Sequence, residues 1–390
     1  MTAATRFDFD DPIDRRNSDS EKWDKYQGRD IIPLWVADMD FRSPPAVIEA
    51  LHERVSHGVF GYTHPPKALT AAVLDHLDRD FGWQAEPDWI VWLPGLVCGL
   101  NVLCRAVGDA GDAVVTFVPV YPPFLSAPPL SRRNLITVSL HVRDGRWAPD
   151  MALLERAITP QARLLLLCNP HNPVGRAWTR EELLRFAELA DRHDLVIGSD
   201  EIHAGLILDA DKRHCPIAAI SPEIARRTIT LLAPSKTYNI PGLGCSFAVI
   251  SDPGLRRGFQ KAMGRIVPHV NILGYTAALA AYRDGEDWRR ELIAYLRGNR
   301  DLVAGKIARM PGLSMTPVEA TYLAWIDTRG SGIGQPGRFF EEAGVGLSDG
   351  GDFGAPGFVR LNFGCRSELL AEALGRMEKA LTGCSKQQAY

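Results

Sequence analysis

Short apolar runs alternate with helical patterns through the middle of the chain, and this alternation constrains the fold more than any other feature. Most of the runs are continuously apolar, which is typical of strands buried on both faces. They lie at 113–118, 134–140, 163–168, 195–199, 228–232 and 245–250. Helices are predicted at 46–57, 67–81, 97–107, 179–193 and 254–264. This order predicts an α/β fold with a mostly parallel sheet and helices on both faces.

One of these helices carries a clear start signal. Residues 179–193 begin with Thr179 and have Glu182 three residues later, which is the pattern of a capping box. The last third of the chain differs, because a long charged helix at 287–310 precedes only two predicted strands, at 322–326 and 357–363, and a final helix from residue 367. We therefore expect a large α/β domain over 46–285 and a smaller α+β domain over 286–390. Residues 1–45, rich in Pro and Asp, are predicted to be an arm that packs on the smaller domain.

Composition excludes several classes of protein. With 390 residues, 46% of them hydrophobic and 23% charged, the chain is neither disordered nor fibrous. A net charge of -3 without a basic stripe argues against a nucleic-acid partner. No apolar segment has the length of a membrane span or a signal sequence, so we expect a cytoplasmic protein with no membrane contact. Seven cysteines without a C-x-x-C pair are expected to be buried thiols, and no metal site is predicted.

Two motifs place polar side chains after buried strands. In CNPHNPVGR at 168–176, two Asn-Pro pairs make a turn that leaves Asn172 free to contact a ligand, although a plain turn is equally compatible. In SDEIHAGL at 199–206, Asp200 follows a buried strand at the sheet edge where α/β folds bind ligands. A carboxylate there can hold a protonated ring nitrogen, and a solvated acidic loop is the alternative.

Three further stretches carry chemistry. Lys236 lies in LLAPSKTYNIPGLG, and a desolvated lysine in such a loop can form a Schiff base, whereas a surface lysine is the alternative. Gly95 opens an apolar helix whose first N–H groups suit a phosphate, a weak signal by itself. Arg360 interrupts the apolar strand GFVRLNFG, where it can grip a substrate carboxylate or form an internal salt bridge. Taken together, these groups fit pyridoxal 5′-phosphate (PLP) chemistry.

The same motifs resemble a known family. N-P-x-N-P-x-G, D-E-I-H, S-K-T-x-N and V-R-x-N-F resemble the fold-type I PLP enzymes related to class I/II aminotransferases, which have the aspartate aminotransferase fold. PLWVADMDF at 33–41, FGYTHPP at 60–66 and PVYPPF at 119–124 are similar to the cystathionine β-lyases of the MalY/PatB type. The resemblance extends from about residue 6 to residue 380.

The resemblance implies a role for each matching residue. The cofactor would be attached to Lys236, and its ring nitrogen would pair with Asp200. Asn172 would form a hydrogen bond to its 3′-oxygen, and Tyr121 would stack on its ring. Its phosphate would be held by the backbone of Leu96 and Val97 and by the Ser235 hydroxyl. Arg360 would bind the substrate α-carboxylate. Because such enzymes are homodimers with shared sites, Tyr62 would reach into the neighbouring subunit's site.

Three positions depart from the broader aminotransferase pattern. Ala233 and Gly244 stand where that pattern often has a hydroxyl residue and an arginine, so the phosphate is expected to lose one contact of each kind. His203 replaces a tyrosine that often follows the aspartate; it fits the lyase branch and is expected among the cofactor contacts, with a purely structural role as the alternative.

The reaction that the resemblance implies is α,β-elimination. L-Cystathionine or a cysteine S-conjugate would yield a thiol, pyruvate and ammonia, with the Lys236 amine as base for the Cα proton. Tyr121 is a candidate acid for the departing sulfur. Two alternative hypotheses remain: the chain is an aminotransferase that uses a 2-oxo acid acceptor, or it is a regulatory protein that binds a partner. Candidates for lining the substrate entrance are Trp35, Met39, Tyr62, His64 and Tyr121.

Overall fold

A computed structural model describes residues 7–387 of the chain, and the side chains of residues 7–383. The strands are β1 (Ile32–Pro33), β2 (Ile90–Leu93), β3 (Ala113–Val118), β4 (Asn134–Arg143), β5 (Arg146–Pro149), β6 (Ala162–Cys168), β7 (Val196–Asp200), β8 (Thr228–Leu232), β9 (Ser246–Val249), β10 (Ser314–Met315), β11 (Leu323–Asp327), β12 (Val345–Gly346), β13 (Ser348–Asp349) and β14 (Phe358–Asn362). The helices are α1 (Glu21–Asp24), α2 (Pro45–His57), α3 (Lys67–Phe81), α4 (Leu96–Ala106), α5 (Pro123–Leu130), α6 (Met151–Ala157), α7 (Arg180–Arg192), α8 (Pro222–Arg226), α9 (Pro253–Met263), α10 (Ile272–Asp284), α11 (Glu286–Ile307), α12 (Pro336–Glu342) and α13 (Ser367–Gln387).

The apolar runs of the sequence form the centre of an eight-stranded sheet. Its strand order is β2-β9-β8-β7-β6-β3-β4-β5. Neighbours from β8 to β4 pair in parallel, whereas β2, β9 and β5 pair antiparallel at the two edges. The side chains of β8 are all buried, as expected for a strand covered by helices on both faces. The predicted α/β fold with a mostly parallel sheet is confirmed.

Helices cover the sheet through apolar faces. In α7 the predicted capping box is present, because the Thr179 hydroxyl accepts from the Glu182 N–H at 3.2 Å and the Glu182 carboxylate accepts from the Thr179 N–H at 2.8 Å. Helix α7 then buries Leu183 and Phe186 in the core on one face of the sheet. Helix α10 escaped prediction because residues on several of its sides are buried, so it has little amphipathic periodicity.

A second sheet lies in the last third of the chain. Its four antiparallel strands have the order β10-β11-β14-β13, and they share an apolar core with α11 and α13. Strand β1 pairs in parallel with β12, so the N-terminal segment also contacts this part of the molecule. The division of the chain at residue 285 and the assignment of residues 1–45 as a separate arm stay predictions. Within residues 7–387, no helix has the length and apolar character needed to cross a bilayer.

The segment between β10 and β11 joins the second sheet to two loops of the first. The N–H groups of Glu319 and Ala320 donate to Gly175 O at 2.9 and 3.0 Å, and Thr321 N–H donates to Leu206 O at 2.9 Å. The buried Glu319 carboxylate forms ion pairs with Arg146, Arg176 and Lys212. These contacts hold the loops that follow β6 and β7 in place, and both loops carry predicted site residues.

Candidate active site

A cavity of about 210 Å³ opens at the carboxyl ends of β6, β7 and β8. All the predicted site residues except Tyr62 line it: Leu96, Val97, Tyr121, Asn172, Asp200, His203, Ser235, Lys236 and Arg360. The carboxyl ends of parallel strands meet at one edge of a sheet, which is why motifs that are far apart in the sequence converge here.

Lys236 lies in the loop after β8, and its amine is directed to a backbone carbonyl. Nζ donates to Ala37 O at 2.6 Å. Burial lowers the pKa of Lys236 to about 8, although the carboxylates of Asp38 and Asp200 oppose this shift and Arg360 adds to it. A substantial fraction of the amine is therefore neutral near pH 8, as a nucleophile or base requires.

Asp200 ends β7 and has almost no access to solvent. Its carboxylate accepts from the Ile202 N–H at 3.1 Å. Burial raises the pKa of Asp200 to about 7, and the adjacent Glu201 raises it further, while Lys236 lowers it. Glu201 itself accepts from Ser199 and Ile217, and it lies 2.7 Å from His214 Nε2. Burial disfavours the ionised form of the Asp200 carboxyl group, and a cation placed beside it would stabilise that form.

Arg360 is buried within β14 and contacts Asn172. One guanidinium nitrogen donates to Asn172 Oδ1 at 3.1 Å, another donates to Trp35 O at 2.9 Å, and the buried Nε has no partner. Burial lowers the pKa of Arg360 to about 10. No carboxylate of the described residues pairs with it, so the internal salt bridge considered from sequence is not found. Because Asn172 Oδ1 is occupied, its NH₂ group is the one left to donate to a ligand.

His203 lines the cavity as a neutral imidazole. Burial, reinforced by the nearby charges of Lys236 and Arg360, lowers the pKa of His203 to about 3. Its Nδ1 is buried without a hydrogen-bond partner, and its ring meets Tyr322 edge-on with centroids 6.1 Å apart. A buried polar side chain without a protein partner is a candidate ligand contact.

Helix α4 presents its N-terminus to the cavity. Its N-cap residue, Gly95, has no side chain to cap the helix, and Gly95, Leu96 and Val97 line the cavity. The first N–H groups of a helix have no intrahelical acceptor, so they suit an anion. Gly244 packs against this start: its φ is +58°, and a Cβ there would lie 2.9 Å from Pro94 O. The arginine expected here from the broader aminotransferase pattern would not fit.

The entrance candidates have different positions. Tyr121 lines the cavity, and burial raises the pKa of its hydroxyl, so it stays protonated. Tyr62 and His64 are exposed in the single chain. Trp35 donates to Lys22 O at 3.1 Å, and Met39 is buried in the core. None of Trp35, Met39 and His64 is among the lining residues.

Sequence reasoning missed several cavity residues. Val36, Ala37, Cys168, Cys245 and Ser246 all line the cavity. Ala37 contributes its carbonyl to Lys236, and a backbone acceptor leaves no signature in residue type. The stretch PLWVADMDF, matched as a whole, was the signal that could have drawn attention to it.

The lining residues fit PLP. Among the described residues, no cation forms an ion pair with the buried Asp200 carboxylate. Lys236 supplies a partly neutral amine, and the uncapped start of α4 offers N–H groups to a phosphate. Asn172, Ser235 and His203 would provide further polar contacts to the cofactor, and Tyr121 a ring face. Among residues 7–383, no cluster of His, Cys, Asp and Glu suitable for a metal ion was found.

Comparisons with known proteins cover nearly the whole chain. The family described as aminotransferase class I and II matches residues 29–377. The cystathionine beta-lyase PatB of Bacillus subtilis is 37% identical over 96% of this chain and 100% of its own. An aspartate aminotransferase of Geobacillus stearothermophilus is 26% identical over 91% of this chain and 92% of its own.

Solved structures agree with this likeness. The crystal structure of OvoB superposes with a TM-score of 0.95 at 48% identity, covering 96% of this chain and 99% of that one. Cystalysin from Treponema denticola, whose structure contains pyridoxal 5′-phosphate, has a TM-score of 0.93 at 33% identity, covering 97% and 99% of the two chains.

Replacing Gly244 with alanine tests the anion site. The added Cβ would displace Pro94 and with it the start of α4. We expect the affinity of the apoprotein for PLP to fall about tenfold, while its affinity for pyridoxal, which lacks the phosphate, changes little. Absorbance titration with both ligands measures this difference.

The matched control is Gly242→Ala, because no atom lies within 4 Å of a Cβ at Gly242. It should leave both affinities unchanged. An equal loss of PLP and pyridoxal affinity in Gly244→Ala would contradict the phosphate role.

Proposed function

The chain belongs to the aminotransferase class I and II family, and from that premise we propose that it is a PLP-dependent carbon–sulfur β-lyase. Its substrate would be L-cystathionine or another cysteine S-conjugate. The products are a thiol, pyruvate and ammonia: the Cβ–S bond breaks, the sulfur leaves with the electron pair and gains a proton, and one water molecule is consumed.

The main support for this proposal is that the chain has higher sequence identity to a lyase relative than to an aminotransferase relative. Identity is 37% to the cystathionine beta-lyase PatB and 26% to the aspartate aminotransferase, over similar shares of the chain. Two enzymes of one fold differ mainly in the side chains around the reacting atoms, so the closer full-length likeness favours the lyase reaction.

The charge of the cavity also favours a lyase. Lys236 and Arg360 are the only cationic side chains of the described residues that line it. With Lys236 committed to the chemistry, Arg360 is left to bind one carboxylate. A dicarboxylic acceptor such as 2-oxoglutarate needs a second cation for its distal carboxylate, and this chain supplies none in the cavity.

The residues of the chain divide the chemical tasks. When bound, PLP supplies an electron sink that stabilises negative charge on the substrate Cα. Arg360, with its Nε unpartnered, binds the α-carboxylate and so orients the substrate. The neutral amine of Lys236 takes the Cα proton, and Asp200 would keep the ring nitrogen of the bound cofactor protonated. Asn172 and His203 would donate hydrogen bonds to the cofactor.

The product assay tests this function. Purified, PLP-loaded protein is mixed with L-cystathionine, with and without 2-oxoglutarate, and pyruvate, free thiol and glutamate are followed together. We expect pyruvate and thiol to form at equal rates without the acceptor, and neither product to form with Lys236→Ala. Glutamate forming only when 2-oxoglutarate is present would instead establish an aminotransferase.

We propose Tyr121 as the acid that protonates the departing sulfur. Burial keeps its hydroxyl protonated, and the residue lines the cavity. In Tyr121→Phe we expect kcat for L-cystathionine to fall about 100-fold, because general acid catalysis contributes that much. A cysteine conjugate of an aromatic thiol, which leaves readily as the thiolate, should lose far less.

The comparison of the two substrates in Tyr121→Phe separates the acid role from cofactor stacking. A loss of PLP affinity with unchanged turnover of both substrates at saturating PLP would exclude the acid role.

We propose that the enzyme is a homodimer in which Tyr62 enters the partner's cavity. Tyr62 is fully exposed in the single chain, and the nearby Val55, Val59 and Phe60 are also exposed. A run of exposed apolar side chains marks an interaction surface. Val97, at the mouth of the cavity, is a further exposed apolar residue.

Hybrid dimers test the shared site. Tyr62→Ala and Lys236→Ala are each expected to have little activity, and refolding them together should restore about a quarter of the wild-type activity, because half of the dimers are hybrids with one intact site. If Tyr62 served the cavity of its own chain, mixing would restore nothing.

We also place the enzyme in the cytoplasm. The cysteines at 98, 104, 168, 215, 245 and 365 are all free thiols, as is usual in a reducing compartment. Fractionation of cells that produce the protein would test this location, and recovery in an extracellular or periplasmic fraction would contradict it.

A further inference from the structure

Residues 35–39, here called the strap, form an irregular segment held by side chains from distant parts of the chain. Each of their five backbone carbonyls accepts a hydrogen bond from a side chain, at distances of 2.6–2.9 Å for the shortest bond to each. The donors to the first four carbonyls are Ser348 and Arg360 to Trp35 O, Asn362 to Val36 O, Lys236 and Tyr322 to Ala37 O, and Asn362 and Lys22 to Asp38 O. The strap is therefore positioned by side chains and not by sheet pairing, and two of the donors, Lys236 and Arg360, line the cavity.

The Ala37 carbonyl accepts from two side chains at once. Lys236 Nζ lies 2.6 Å away and the Tyr322 hydroxyl lies 2.9 Å away. Asn362 holds the carbonyls on either side, Val36 O and Asp38 O, both at 2.6 Å. The oxygen that meets the reactive amine is thus fixed in space, and it is shared with a hydroxyl.

Tyr322 has a fixed place and a single hydrogen-bond partner. It is 1% exposed, and burial raises the pKa of its hydroxyl far above the usual range, so the hydroxyl stays a donor. Within the described part of the chain, Ala37 O is the partner of that hydroxyl. Tyr322 directly follows the segment that Glu319 and Thr321 anchor to the two active-site loops.

We propose that Tyr322 is a positioning residue that controls, through the shared Ala37 carbonyl, how readily the Lys236 amine loses its proton. Two donors on one carbonyl oxygen weaken each other, because each withdraws electron density that the other would use. The Tyr322 hydroxyl therefore weakens the bond from the protonated amine and favours the neutral form. The inference rests on the proposed function only in taking Lys236 as the residue that reacts with PLP.

Other charges around Lys236 act in parallel with this contact. Burial favours the neutral amine, and of the charged groups facing it, Arg360 also favours the neutral form, whereas Asp38, Asp200 and Glu21 favour the protonated one. His203 is neutral and Tyr121 is protonated near neutral pH, so neither changes charge there. Asp200, with a pKa of about 7, does change charge in this range, and it does so in the unaltered chain and in the variants alike. None of these groups is altered when the Tyr322 hydroxyl is removed, so a change in lysine acidity would report the Ala37 contact.

The uptake of PLP by the apoenzyme measures the neutral amine directly, since only that form attacks the aldehyde. The rate is followed by absorbance as a function of pH, without any amino-acid substrate. For the unaltered chain we expect a midpoint at about 8. In Tyr322→Phe the midpoint should rise by about half a unit to one unit, so that uptake at neutral pH slows about three- to tenfold, with the limiting rate at high pH nearly unchanged.

Tyr238→Phe is the matched control. Tyr238 is also 1% exposed, it lies two residues from the lysine, and its buried hydroxyl has no hydrogen-bond partner in the described part of the chain. It should leave the midpoint where it is in the unaltered chain. A second variant that preserves the ring is 3-fluorotyrosine introduced at Tyr322, whose stronger donor should lower the midpoint.

Distinct results overturn the proposal. An unchanged or lowered midpoint in Tyr322→Phe would do so, as would an equal rise in Tyr238→Phe. A uniform loss of rate at every pH, with the midpoint unchanged, would assign Tyr322 a purely structural role. Because no amino acid is cleaved in this experiment, its outcome is independent of whether the product assay finds a lyase.

Discussion

Desolvation of charge at the carboxyl edge of the sheet is the constraint on which the site depends. Burial raises the pKa of Asp200 to about 7 and lowers that of Lys236 to about 8. Both groups are fully charged in water at pH 7, whereas in the cavity each has a pKa close to that pH. Arg360 is buried nearby, and its partners among the described residues are Asn172, Trp35 O and Ser348, none of which is a carboxylate. Burying these three groups costs free energy that a ligand can recover by placing a ring cation beside Asp200, an aldehyde beside Lys236 and a carboxylate beside Arg360. PLP and an amino acid together supply these three groups.

Three structural layers hold these groups in place. The parallel strands bring Asp200 and Lys236 to one edge, and the second sheet adds Arg360 through β14. The strap adds Val36 and Ala37 to the lining and gives the Lys236 amine its carbonyl acceptor. The ion pairs of Glu319 connect the first two layers. Each layer alone leaves the site incomplete, so its chemistry belongs to the whole chain and, in the proposed dimer, to two chains.

The fold by itself does not distinguish a lyase from an aminotransferase, because both reactions begin with removal of the same Cα proton. The outcome depends on what surrounds the substrate afterwards. A hydroxyl near the departing sulfur favours elimination, and a second cation for a dicarboxylic acceptor favours transamination. The described cavity contains the Tyr121 hydroxyl, proposed for the first role, and no cation besides Lys236 and Arg360 for the second, which agrees with the greater likeness to the lyase relatives.

The features that depend on local pattern could be predicted from the sequence: the buried strands, the capping box of Thr179 and Glu182, and the residue types of the cavity motifs. These follow from chain geometry and from the rule that strand ends carry ligand sites. Two features became visible only in the folded chain: the Ala37 carbonyl accepts a hydrogen bond from the Lys236 amine, and Gly244 has no room for a side chain. The reason is physical: a backbone acceptor and an excluded volume arise from segments distant in sequence, and neither is encoded in the identity of the residue that provides it.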